Sequence, residues 1–281
     1  MKYRNTPGAV AGRWARYVGL LLILLGILGP YIVMIITSIT PKAELAAAGA
    51  SLIPSSVTFE GYGELVRTSH FLAYLRNSLL VALMSVPITL ICATGAAIAL
   101  SRFEFLGRRQ TMTALILAQM LPAVLLVLSL QQQLNAFGLL DTKIGLAMVH
   151  SAFATPFATW LLKGFLDGIP RELEESGAID SASTWQIIRM LILPLLLPGM
   201  VAAGTYAFIL TWNEFLYALT FTSSPATRTL PVGLQLFIGE YQIRWDLLTA
   251  GGVLSVLPVV LGFLLVQKRL VAGLAAGAVK G

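Results

Sequence analysis

Charge is scarce in this sequence. Only 11% of its 281 residues are Asp, Glu, Lys or Arg, where ordinary soluble domains carry about 25%. Acidic residues are the scarcer sign, 13 against 19 basic ones, for a formal charge of +6. The basic residues form no run or patch, so the surplus describes no nucleic-acid-binding face. Cysteine is nearly missing. The single Cys92 lies in an apolar run, which excludes an intramolecular disulfide and a cysteine-based metal centre. The chain contains no G-x-x-x-x-G-K-[ST], no G-x-S-x-G and no H-E-x-x-H, so a phosphate loop, a serine nucleophile elbow and a zinc protease are all unsignalled. Apolar residues fill the space instead: 57% of the chain is hydrophobic and the mean hydropathy is +0.82. One soluble core of this size could not cover that much apolar surface. The composition is that of an all-α polytopic membrane protein.

Six apolar runs, residues 17–39, 77–100, 112–133, 144–166, 195–219 and 248–267, each hold 20 to 25 residues. At about 1.5 Å per residue each crosses a hydrocarbon core of about 30 Å. They divide the chain into an N-terminus (1–16), a first span (17–39), an outer connection (40–76), a five-helix core (77–267) and a tail (268–281). The first run follows Arg13 and Arg16 but is too long for a signal-peptide core. Thr40–Pro41–Lys42 is a poor cleavage site, so the run is read as a retained anchor. Lys2, Arg4, Arg13, Arg16, Arg102, Arg108, Arg109, Lys163, Arg171, Arg189, Lys268, Arg269 and Lys280 fall on one side of the six spans. Only Lys42, Arg67, Arg76, Lys143, Arg228 and Arg244 fall on the other. The positive-inside bias puts both termini in the cytoplasm.

Every span contains or abuts a proline: Pro30, Pro87, Pro122, Pro156, Pro194 with Pro198, and Pro258. Two readings stay open, prolines simply tolerated in membrane helices or a bundle of bent helices that can rock. Small residues at 93–97 and 202–204 allow close helix approach. In the outer connection, Tyr62, Leu65, Val66, Phe71, Leu72 and Leu75 recur at helical spacing, which predicts an interfacial amphipathic helix feeding the second span.

The informative stretch runs from Ile169 to Pro194. Pro170 suits a helix start, and Glu172, Glu174 and Glu175 sit near its positive end. Ser183 followed by Gln186 predicts a second start with a capping box. The segment therefore reads as helix, turn at Asp180–Ser181, helix, then entry into the fifth span. Ser176, Gly177 and Ala178 keep its face small enough for another protein to approach closely.

This stretch resembles the EAA loop of binding-protein-dependent ABC importer permeases, whose pattern is E-A-A, three residues, G, nine residues, I-x-L-P. Glu175 matches the leading glutamate, Ser176 and Gly177 replace two alanines, and Ser181 stands at the glycine. Leu191 stands at the isoleucine, and Leu193–Pro194 match the final pair. Thr211–Leu219 (T-W-N-E-F-L-Y-A-L), Gln267–Gly281, Leu139–Gly145 (L-L-D-T-K-I-G) and Leu230–Gln235 (L-P-V-G-L-Q) resemble the carbohydrate, MalG-like branch, in the same order. A left-handed turn suits glycine, and serine there costs roughly 1–2 kcal/mol, so Ser181 leaves the geometry of that turn open.

The resemblance implies a MetI-like type I importer fold of six transmembrane helices in the bacterial inner membrane. It implies a second, similar permease, a dimer of ATP-binding subunits, an extracytoplasmic solute-binding protein and a sugar as partners, beside membrane lipid. ATP and Mg are expected on the ATP-binding partner, and no cofactor or catalytic residue on this chain. ATPase coupling falls to Glu172, Glu174, Glu175, Ser176, Gly177, Ala178, Asp180 and Ser181. The tail, with Gly277 and Lys280, is expected at the ATPase interface. The outer loop 222–247, with Gln235, Phe237, Tyr241 and Gln242, is expected to face the binding protein. Glu214 is the only acidic residue well inside a span. With Tyr206, Trp212, Asn213 and Tyr217 it is the candidate for the translocation pathway, the other reading being that it pairs with another helix. Glycerol-phosphate-type and other small polar solutes are the alternative cargo. An intramembrane enzyme built from His150, Ser151, Ser129 and Asp141 and a passive channel are the alternatives of other classes.

Overall fold

The computed structural model describes residues 7–48, 53–68, 70–239 and 242–278, and it is helical almost throughout. In chain order the helices are α1 (Pro7–Ser38), α2 (Lys42–Ala48), α3 (Glu60–Thr68), α4 (Phe71–Arg102), α5 (Arg108–Ala118), α6 (Ala123–Ala136), α7 (Lys143–Asp167), α8 (Glu172–Ile179) and α9 (Thr184–Ile187). A π-helical turn (Ile188–Ile192) then leads into α10 (Leu193–Asn213), followed by α11 (Leu216–Phe221), α12 (Leu230–Gln235) and α13 (Trp245–Ala278). Five helical stretches are long and apolar enough to cross a membrane: Trp14–Ser38, Phe71–Arg102, Lys143–Asp167, Thr184–Asn213 and Trp245–Gln267. The third expected span is not a straight rod. It is the pair α5 and α6, bent by 100° across residues 119–122, with Pro122 at the N-cap of α6. Pro30, Pro87, Pro156, Pro198 and Pro258 all lie inside continuous helices. Proline therefore marks a sharp break at only one of the six spans.

The chain divides into two units, residues 1–71 with 234–256, and residues 72–233 with 257–281. In the first, Leu65 of α3 and Phe71 pack with Leu234 against Gly251, where an added Cβ would meet Leu234 Cδ2 at 2.4 Å. Leu65 and Phe71 are almost fully buried. The expected interfacial helix thus exists, but its apolar face is covered by protein. Phe71, Leu72 and Leu75 already belong to the span that follows. Ser38 and Tyr62 hydroxyls share a hydrogen bond of 2.7 Å, and Arg244 bridges Glu64 and Asp246 at 2.8 Å each.

In the second unit α7 is the central helix, with over half of its most apolar stretch buried. Its close crossing with α10 needs Gly199, since a Cβ there would stand 2.8 Å from the Phe165 ring. Ala93 and Ala97 of α4, Ala158 and Leu162 of α7, and Leu196 and Ala203 of α10 form one core, the small side chains letting the helices approach. A second core gathers Val81, Val127, Leu146, Val149, Tyr217 and Phe221. Thr142 caps α7 by accepting from Gly145 N–H. Gly145 cannot carry a Cβ, which would lie 2.3 Å from the Leu139 carbonyl oxygen. That packing is the local reason for the final glycine of L-L-D-T-K-I-G.

Candidate functional site

The loop between α7 and α10 is an elbow of two short helices. α8 ends in a Schellman motif: Ala182 N–H donates to Gly177 O at 3.1 Å and Ser181 N–H to Ala178 O at 3.0 Å. Ser181 has φ +63°. It adopts the left-handed conformation that glycine takes without strain, so the Schellman turn forms despite the side chain. Ser183 then opens α9 with a complete capping box, its side chain accepting from Gln186 N–H while Gln186 reaches back to the Ser183 N–H at 2.7 Å. A π turn joins α9 to α10, one residue of slack where the elbow enters the membrane span.

The three glutamates of α8 differ in surroundings. Glu174 turns inward and pairs with Arg102 at 2.5 Å, the two side chains 19% and 8% exposed. Glu172 and Glu175 are exposed. Arg102 also donates to Ser101 Oγ and the Ile169 carbonyl, so this one side chain ties the end of α4 to the elbow. Ser176, Ala178, Asp180 and Ser181 are exposed, and so are the apolar side chains of Ile179 and Trp185. Gly177 faces the other way: a Cβ there would meet Leu191 Cδ1 at 3.1 Å and Ile187 Cγ1 at 3.4 Å. Its smallness lets α8 lie against the next helix of its own chain, while the open face belongs to Glu172, Glu175 and Ile179.

The fifth span is interrupted. α10 stops at Asn213, residues 214–215 are unwound, and α11 begins at Leu216. A continuous helix to Leu219 is thus corrected by the structure, and the reason is Glu214. Its carboxylate accepts the first free N–H groups of α11, from Tyr217 at 2.8 Å and Ala218 at 3.0 Å, and takes a third bond from His150 Nε2 at 3.1 Å. His150 is 1% exposed and Glu214 14%. The carboxylate therefore pairs with another helix and caps a half-helix at once. Trp212 is buried and stacks on Phe208, and Tyr217 is buried between Phe153 and Phe221 with its hydroxyl donating to the Ala123 carbonyl. Tyr206 is half-buried against Phe157. Asn213 is exposed, its amide donating to the Ile209 carbonyl.

Sequence reasoning missed the buried hydroxyl cluster beside this break. Ser151 donates to the Ala147 carbonyl at 2.6 Å and lies 3.2 Å from Ser85 Oγ, which accepts from Thr211 at 3.1 Å. The only signal was small polar residues inside apolar runs. These contacts do not join the nucleophile constellation: Ser151 bonds Ala147 and Ser85, His150 bonds Glu214, and Asp141 lies in the turn before α7.

That turn is a clasp. Asp141, at φ +54°, accepts from the Thr227 hydroxyl and from Ser223 N–H at 2.9 Å. Burial pushes its carboxyl up, but the bonds from Thr227, Ser223 and Ser224 outweigh it and hold the group at about 2. Lys143 donates to Ala226 O, and Asn77 to Pro225 O and Arg228 O, so residues 222–230 are pinned from two helices. Beyond them Gln235 and Gln242 are exposed and Phe237 is half-buried, beside an isolated antiparallel bridge between Ile238 and Ile243. Tyr241 and Lys280 lie outside the described residues. Gly277 lies within α13, which runs to Ala278 and takes up most of the expected tail.

Residues 85–275 match the family model described as binding-protein-dependent transport system inner membrane component. The chain is similar to the sulfoquinovosyl glycerol transport system permease protein SmoH of Agrobacterium fabrum, at 33% identity over 96% of this chain and 95% of the relative. It is similar to the trehalose transport system permease protein SugB of Mycobacterium tuberculosis, at 37% identity over 89% and 92%. Among solved structures, a chain of a bacterial ABC transporter involved in the import of the acidic polysaccharide alginate superposes with a TM-score of 0.80 at 22% identity. The match covers 95% of this chain and 99% of that one. That likeness shows the fold.

Proposed function

The chain belongs to the family of binding-protein-dependent transport system inner membrane components, and on that premise we propose that it is one of two permease subunits of an ATP-driven sugar importer. The observation that carries this reading is the elbow. A capped two-helix loop braced on the end of α4 through Arg102–Glu174 keeps Glu172, Glu175, Ile179 and Trp185 exposed. A second chain can seat on that face, and the π turn passes its movement into α10. An ATP-binding subunit dimer holding ATP and Mg docks there, with both termini of this chain on the same, cytoplasmic side of a bacterial inner membrane. A second, similar permease completes the translocation pathway. An extracytoplasmic binding protein delivers sugar at the pinned outer loop, toward Gln235, Phe237, Tyr241 and Gln242.

A sugar as cargo rests on relatives that match along most of their length and are named for transport of sulfoquinovosyl glycerol and trehalose. Within the fifth span, Asn213 and Tyr206 are assigned to the pathway, while Trp212, Glu214 and Tyr217 hold its shape from inside the bundle. The test is co-purification of the ATP-binding subunit, together with whole-cell uptake. Glu175→Ala removes one partner of a charge pair across the docking face, at a cost of about 2–5 kcal/mol. The ATP-binding subunit will then be lost from the purified complex and uptake will stop. Retention of both refutes the docking assignment. Thermal stabilisation of the cognate binding protein across a panel of sugars identifies the cargo, and stabilisation by no sugar refutes the sugar class.

A further inference from the structure

Beside the elbow, the ends of α4 and α7 line an open polar cavity of about 580 Å³, and of its side chains the docking face described above takes only Glu172. Arg102, Arg108, Lys163 and Arg171 line it, against Asp167 and Glu172. Two of these cations are already neutralised, Arg102 by Glu174 and Lys163 by Asp167, each at 2.5 Å. The other two are held but not neutralised. Arg108 Nε donates to the Leu100 carbonyl at 2.6 Å, and Arg171 Nη2 to the Ser101 carbonyl at 3.0 Å. Both carbonyls close α4, where a cation is favoured by the helix dipole. Each guanidinium carries five N–H donors, and neither arginine forms an ion pair among the described residues. Two charges with donors to spare are thus fixed in place on the wall of one cavity.

Two further features put a lipid surface at its mouth. α4 and α7 both qualify as membrane spans, and they end at Arg102 and Asp167, in this wall. The turn between Arg102 and Arg108 carries Phe103, Phe105 and Leu106, all exposed and Leu106 completely so. Apolar side chains between arginines at the end of a span suit the boundary between acyl chains and head groups. We propose that this cavity binds a phosphate group, supplied by the head group of an anionic phospholipid in the leaflet where α4 and α7 end. Guanidinium forks match phosphate oxygens in pairs, and basic pockets between membrane helices take such head groups. Arg171 is the N-cap residue of α8, so a bound head group braces the elbow as well.

The full-length chain, purified in detergent and supplied with equal phosphatidylglycerol and phosphatidylcholine, is examined by native mass spectrometry for retained lipid. The wild-type chain will retain phosphatidylglycerol in preference. Arg108→Gln and Arg171→Gln will each lower that retention about fivefold, the share of one cation near a lipid surface. Arg109→Gln removes the same charge from the same turn outside the cavity and will leave retention unchanged. Equal losses in all three variants overturn the proposal. Because Arg108 and Arg171 also hold the end of α4, the wild-type chain carries a second arm free of folding effects. Lack of phosphatidylglycerol preference there overturns the site, and complete displacement of lipid by millimolar inorganic phosphate overturns the lipid source.

Discussion

Ser181 sits at φ +63° with no glycine's freedom, and the left-handed region costs an ordinary residue roughly 1–2 kcal/mol. Ser181→Gly relieves that cost without touching a contact of the Schellman turn. It will stabilise the purified chain by about 1 kcal/mol, read as a higher thermal midpoint. No change would mean that the side chain compensates locally. Glu174 and Glu175 are neighbours in sequence with opposite duties. Glu174→Ala leaves Arg102 buried and unpaired, so it will destabilise the fold by about 3–5 kcal/mol. Glu175→Ala will leave the thermal midpoint within the spread of repeat scans and act only on partner binding. Asp141 supplies a pH test. Its carboxyl lies below the ordinary 3.8, at about 2, so its stabilisation is complete above pH 3.8 and is lost as pH falls toward 2. Limited proteolysis of the 222–230 loop will stay slow from neutral pH down to about 4 and accelerate below that. Asp141→Asn, which tolerates the same backbone, will remove the acid step. An unchanged acid step in that variant assigns it to another group.

The elbow works as one element because Gly177 lets α8 lie against Ile187 and Leu191. Gly177→Ala asks flexible side-chain ends to move a few tenths of an ångström and will retain transport. Gly177→Leu cannot fit between the two helices, so it will displace α8 and uncouple ATP hydrolysis from uptake. Normal coupling in Gly177→Leu would refute the packing role. The interruption of the fifth span follows the same logic at greater depth. An unwound pair of residues is tolerated in a membrane because Glu214 accepts from α11 and His150. Other spans carry prolines and stay continuous, since neighbouring groups re-satisfy what proline frees.

Across the whole molecule, one set of groups closes one end of the second unit while another holds the opposite end, at the elbow. The clasp of Asp141, Asn77 and Lys143 pins residues 222–230. Arg102 and Arg171 bind the end of α4 to the elbow, and Arg108 binds it to the start of α5. A conformational cycle that exposes a site first to one side and then to the other has to move the segments between these two clamps. Cysteines at Gln235 and Gln242 will crosslink to the binding protein, and crosslinks only to the ATP-binding subunit would invert the topology. Deletion of Ala276–Gly281 will weaken ATPase coupling while leaving membrane insertion intact, and undiminished transport would free the tail of that role.

Hydropathy and capping are local properties, and they were legible. Twenty apolar residues suffice to span a bilayer whatever surrounds them, so the membrane spans could be counted from the sequence. Ser183 and Gln186 satisfy each other within three residues, so the second helix of the elbow needed no partner to be seen. The resemblance of Ile169–Pro194 to the family's loop likewise lay in contiguous residues. Tertiary structure decided what depends on partners distant in the chain. It split the three glutamates, because Arg102 lies 72 residues from Glu174. Glu214 became a cap for α11 braced by His150, 64 residues away. It buried the apolar face of α3 against Gly251, where the periodicity alone allowed a lipid surface. An amphipathic pattern states that a face must be covered, and a buried charge that it must be paired. Neither states by what, because the covering and pairing groups come together only when the chain folds.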